Sequence, residues 1–86
     1  MRRGSQVVTF FNETVMHTKP RLLDVVALLR DLPECDLVKG QVGTVVEILD
    51  GAYEVEFSDD TGKTYAELAL KPDQLLLLHH RPQRAA

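Results

Sequence analysis

Gly40-Gln41-Val42-Gly43-Thr44-Val45-Val46-Glu47-Ile48-Leu49-Asp50-Gly51-Ala52-Tyr53-Glu54-Val55-Glu56-Phe57 is the stretch whose reading decides the fold. Its first half is rich in β-branched residues, which suit a pleated, half-buried surface. Asp50-Gly51 then reads as a two-residue type I′ hairpin turn, because that turn needs φ > 0 twice and Asp and Gly tolerate it. In the second half, Tyr53, Val55 and Phe57 alternate with Glu54 and Glu56. Successive strand side chains point to opposite faces, so this is an antiparallel strand with one face in the core and one in water.

Reading toward the C-terminus, Ser58-Asp59-Asp60-Thr61-Gly62-Lys63 is a second tight turn. It leads into a strand, Thr64 to Leu70, with Ala66, Leu68 and Leu70 on one face. Lys71-Pro72-Asp73-Gln74 reads as a single 3₁₀ turn, since proline fixes φ at its start. A last strand, Leu75 to Leu78, follows. Toward the N-terminus, residues 30 to 40 hold Pro33, Gly40 and several charges and form a long loop. Before it lies Leu22 to Leu29, where Leu22, Val25, Val26 and Leu29 also fit helical spacing. The run is short and lacks a helix-stop signal, which favours a strand; a helix here would give an α+β domain instead. The expected architecture is all-β: a five-stranded SH3-like small barrel over 21–79. It has an N-terminal extension, 1–20, that is flexible or adds a strand through Gln6 to Phe11, and a C-terminal tail, 80–86.

Eighty-six residues make one domain at most. Its stability should be on the order of 3–5 kcal/mol, because a short chain buries a modest share of its surface. The one cysteine, Cys35, has no disulfide partner and no second thiol for a zinc cluster. With no signal-like apolar core, that composition suits a reducing, cytoplasmic setting. Leu75-Leu76-Leu77-Leu78 is far short of the ~20 residues of a membrane span, so no membrane role is expected. Net charge is −3 and unevenly spread: +3 up to Arg21, −8 from Leu22 to Leu78, and +2 in the tail. An acidic body between basic ends is the main electrostatic feature.

Leu23-Asp24-Val25-Val26-Ala27-Leu28, Lys39 to Glu47 with its G-x-x-G-T-V-V pattern, Tyr53-Glu54-Val55-Glu56-Phe57 and Gly62-Lys63-Thr64 resemble one family of short bacterial proteins. It is known only as a domain of unknown function, number forty-nine twenty-six. The similarity spans about residues 22 to 78. It implies a small β-barrel, often a stand-alone protein, with no established catalytic residues. Gly40 to Val45 is also similar to SH3-like barrels of ribosomal proteins and small redox-complex subunits, over one strand only. The first twenty residues match neither.

Each candidate site has a plainer reading beside it. Gly40 and Gly43 lead into a strand rather than a helix N-terminus, so they suit a bulge or tight bend better than a phosphate cradle. An acidic body repels a nucleic-acid backbone, which disfavours nucleic acid as a partner and leaves only the basic tails to touch it. Glu47, Glu54, Glu56 and Glu67 belong to a solvated sheet face; a hydrolytic pair needs a cleft that a small barrel lacks. Adjacent His79 and His80 point to opposite sides and are poorly placed to chelate, as is His17. The acidic neighbours Glu34 and Asp36 argue against Cys35 as a reactive nucleophile. No catalytic residue, cofactor or metal ligand is expected. The four leucines are less easily explained: one alternating pair fills the core, and Leu76 and Leu78 are left outside, which calls for a cover. Val7, Val8, Phe10 and Phe11 folding back, or a second copy, would supply one. The expected role is therefore a non-enzymatic protein-interaction module or small accessory subunit, an antitoxin-like companion being one form of it. It would bind a protein partner or itself as a homodimer through Asp31, Glu34, Asp36, Glu54, Glu56, Leu76 and Leu78.

Overall fold

Alternation in the Tyr53–Phe57 segment carries straight into packing. Tyr53, Val55 and Phe57 are buried, while Glu54 and Glu56 lie half-buried on the opposite face. The structure, a computed structural model, describes residues 18–83 and 85. Its strands are β1 (Val25–Leu28), β2 (Val42–Leu49), β3 (Ala52–Ser58), β4 (Thr64–Leu70) and β5 (Leu75–Leu77). Two 3₁₀ turns, Pro33–Cys35 and Pro72–Gln74, complete the set. All neighbouring strands are antiparallel, in one sheet of order β4-β3-β2-β1-β5. The fold is all-β, with five strands as expected. The expected strand at Gln6 to Phe11 and the cover by Val7, Val8, Phe10 and Phe11 lie outside the described residues.

The sheet differs from the expected barrel in one respect: it is not closed. After β4 the Pro72–Gln74 turn carries the chain across to β1, so β5 pairs with β1 and no ladder joins β4 to β5. Between β5 and the end of the β2–β3 hairpin lies a groove of about 320 Å³, lined in part by Ile48, Tyr53, Pro72, Leu75 and Leu77. Side chains bridge where the backbone does not. Val26, Leu28, Val45, Val55, Phe57, Leu70 and Leu75 share one core, with contributions from all five strands. Val26, Val45, Val55 and Phe57 are fully shielded. The sheet curls over this core, and Leu32 and Leu37 of the 30–40 loop help to cover it.

Two local features let β2 curl. Val45 pairs with Val55 and Glu47 with Glu54, so Val46 is an extra residue, and such a bulge bends and twists its strand. Gly43 is buried, and a Cβ there would lie 2.6 Å from Val55 Cγ1, 2.9 Å from the Glu56 carbonyl oxygen and 3.0 Å from Phe57 Cδ1. Its role is close backbone approach. At the far end, Gln41 Nε2 donates to the Tyr65 hydroxyl at 3.0 Å, tying β4 to the start of β2.

The elements are shorter than their sequence patterns at several places. Leu22 and Leu23 form a turn rather than strand. Leu23 has φ 69°, and the Arg21 N–H donates to Asp24 Oδ2 at 2.8 Å. The turn takes Leu22 and Leu23 out of extended geometry, so β1 begins at Val25, although the Leu23 N–H still donates to the Val45 carbonyl and the Asp24 carbonyl accepts the Val45 N–H. Leu49 pairs with Ala52, confirming a two-residue hairpin, yet of its two turn residues only Gly51 has positive φ, 77°. The turn is therefore not type I′; one positive φ at the second position marks type II. Residues 30 to 40 are more than a loop, because Leu32 and Leu37 bridge each other and are both buried.

Candidate functional site

Most inward-pointing residues are taken by the core, with Ile48 beside the groove an exception, and the outer face carries the strand residues expected at an interface. The ladder registers place one row across every strand: Glu67 opposite Glu56, Glu56 opposite Thr44, and Thr44 opposite Val25. Leu78 continues it, donating its N–H to the Val25 carbonyl. A parallel row holds Val42, Ala27 and Leu76. The face thus passes from carboxylates on β3 and β4 to aliphatic side chains on β1 and β5. With strands about 4.8 Å apart, the two ends of the row are at most about 19 Å from each other.

Four of the seven residues expected at an interface are brought together here. Glu54 and Glu56 lie on β3, and Leu76 and Leu78 at β5. Leu76 and Val42 are each 50 % exposed, with Ala27 buried between them. Asp31, Glu34 and Asp36 sit instead on the loop that leaves the sheet after Leu28 and returns at Val42. The Asp31 carboxylate accepts the Lys39 N–H at 2.8 Å, which pins the two arms of that loop. Asp36 caps the 3₁₀ turn in the left-handed region, its N–H bonded to the Pro33 carbonyl. Two of the three thus have visible structural work. Val42, Val25 and Ala27 were missed by sequence reading, although the alternation that exposes Leu76 also turns its cross-strand neighbours outward.

The carboxylates are placed against one another. Glu47 is directly opposite Glu54, and Glu56 directly opposite Glu67. Loss of hydration, then a hydrogen bond shared with Glu67 and repulsion from Glu67 and Glu47, raise the Glu54 carboxyl above its ordinary value. Glu56 Oε2 accepts from the Thr64 hydroxyl at 2.9 Å. In contrast, Asp59 in the β3–β4 turn is held below the ordinary value. Its carboxylate accepts the Thr61 hydroxyl at 2.7 Å and the N–H groups of Lys63 and Thr61. That carboxylate is a turn clamp.

At the Val25–Leu78 end of this face, Arg21, Asp24, His79, His80 and Arg81 border a cleft of about 400 Å³. Both histidines and Cys35 are exposed. Among the described residues no three His, Cys, Asp or Glu side chains are grouped to hold a metal ion, and no helix is long and apolar enough to cross a membrane.

Fold and surface together define a small all-β domain: an open, curled five-stranded sheet with a divided outer face. Residues 22–77 match the family described as Domain of unknown function (DUF4926), and the chain belongs to that family. Comparison with curated proteins and with solved structures found no match.

Proposed function

We propose that this chain is a non-enzymatic protein-interaction module, a small accessory subunit or antitoxin-like companion that binds a protein partner or a second copy of itself. The observation that carries this reading is the aligned row Val42, Ala27, Leu76 on the outer face. Scattered exposed aliphatics are normal on any protein, but a contiguous patch across three strands is a liability unless covered. A domain with so small a core gains stability when a partner covers such a patch. Affinity capture from the native host at physiological salt, with light scattering of the purified chain, tests the reading. A stoichiometric partner or a dimer supports it; a monomer that captures nothing overturns it.

A second reading, contact with nucleic acid, draws on the cleft bordered by Arg21, His79, His80 and Arg81. Phosphate binding by cations releases counterions, so a gel shift that weakens steeply with salt supports it. Against it stands the −8 carried between Leu22 and Leu78.

A further inference from the structure

We infer that the outer face is a two-part docking surface for a protein presenting an apolar ridge flanked by Lys or Arg side chains. The inference rests on the protein-binding reading above and adds the face used and the chemistry of the partner.

The first part is the aliphatic half, Val25, Ala27, Val42, Leu76 and Leu78. The second is Glu47, Glu54, Glu56 and Glu67. No Lys or Arg occupies any position of the five strands, so these four carboxylates are the only strand charges. They form two directly opposed Glu–Glu pairs, and like charges opposite each other destabilise a sheet. A solvated face needs no such arrangement, since a Thr, Lys or Gln in either position keeps it soluble without repulsion. Cations brought by a partner relieve the repulsion, and they do so beside an apolar strip that supplies buried area.

Charge decides among occupants. A second copy stacked in register on this face sets carboxylate against carboxylate, and an offset copy sets them against the partner's aliphatic half, where Arg21 and Arg81 border only the Val25–Leu78 end; both leave most of the four carboxylates unpaired. Nucleic acid and anionic lipid are repelled by the four glutamates. A basic protein surface is attracted during encounter and paired on arrival.

The test is site-specific photocrosslinking of the full chain in its native host. p-Benzoylphenylalanine replaces Val42 or Leu76 on the outer face, or Ile48, 54 % exposed beside the groove, as a control. Each is combined with the variant Glu47→Gln, Glu54→Gln, Glu56→Gln, Glu67→Gln. That variant removes both like-charge pairs and should melt no lower than the original, so lost binding is not lost folding. The expected result is an adduct from positions 42 and 76, with a partner segment that mixes apolar and basic residues. Adduct yield should fall at least about tenfold in the four-glutamine variant, as charge complementarity requires. An adduct that survives the glutamines, joins a second copy, or reaches a segment without bases overturns the inference. Adducts from position 48 alone overturn it while leaving the binding-module reading standing. No adduct at any position, with a monomer in solution, removes both.

Discussion

Replacing Gly43 by alanine isolates the one glycine among the described residues that is needed for space rather than for backbone freedom. The added methyl meets Val55 Cγ1 at 2.6 Å and Phe57 Cδ1 at 3.0 Å, side chains that can shift. It also meets the Glu56 carbonyl at 2.9 Å, which is part of the β3 backbone and moves only with the ladder. Overpacking costs about 1–3 kcal/mol, and a backbone obstacle places this case toward the upper end. Restriction of the unfolded chain returns about 0.4–1 kcal/mol. The net loss is about 2 kcal/mol, close to half of what a domain this size holds. At about 4–8 °C per kcal/mol, Tm falls by about 8–16 °C. Gly51 is the control: its φ is 77° and nothing lies within 4 Å of an added Cβ. Asn tolerates the left-handed region, so Gly51→Asn should be close to neutral, whereas Gly43→Asn should be worse than Gly43→Ala. Thermal melts followed by circular dichroism rank the three variants. A Gly43→Ala protein melting within about 2 °C of the parent, a small fraction of the shift worked out above, refutes the close-approach account of the curl.

Leu37→Ala empties a site that is 2 % exposed and should cost about 2–5 kcal/mol by urea titration; a loss below about 1 kcal/mol means the 30–40 loop does not contribute to the core. Asp59→Ala removes a carboxylate whose native pKa is lowered, so its stabilisation is complete above the ordinary value of 3.8 and disappears as pH falls through the native value. The Tm gap between the two proteins should therefore be widest near neutrality and close in acid; a constant gap contradicts the assignment. Glu54 has the opposite sign: a raised native pKa makes the charged form a cost that is present above that value and absent below 4.5. Glu54→Gln should raise Tm near neutral pH and leave it unchanged in acid, and a lower Tm at neutrality rejects the repulsion.

Legibility tracked how local the governing interaction is. The β2–β3–β4 meander could be read because alternation and turn chemistry are written within a few residues: Tyr53, Val55 and Phe57 are buried as the pattern requires, and Asp59 clamps the turn it was expected to form. The 3₁₀ turn at Pro72 and the outward Leu76 came from equally short signals. What escaped was set by distant partners. Leu32 and Leu37 look like loop residues until they are seen bridging each other against the core. The bulge at Val46 is invisible in a run of β-branched residues, although it sets which residues of β2 face outward. The type of the Asp50-Gly51 turn escaped too, because Asp-Gly fits more than one turn geometry. Of the site, the single strands were legible and the rows across them were not: Val42 joins Leu76 only through a register that passes by way of Ala27.

An open sheet has two edges, and both are poor templates for strand addition. β5 is three residues long, with Pro72 and Pro82 close on either side. β4 carries an irregularity at its start, where Phe57 pairs with Ala66 but Ser58 with Thr64, and Tyr65, the residue skipped, reaches across to Gln41. Short length, proline, bulges and charge are the devices by which sheets avoid edge-to-edge pairing. The carboxylates Glu54, Glu56 and Glu67 extend that protection over the β4 side of the face. Among the described residues, the aliphatic half has basic neighbours only at its Val25–Leu78 end, where Arg21 and Arg81 border the cleft, and the row Val42, Ala27, Leu76 carries no charge. If avoiding association were the whole purpose, the exposed row beside β5 is where a Lys or Glu would be most useful, and none is there. On the docking proposal, that asymmetry directs a partner to the face of the sheet rather than to its edges.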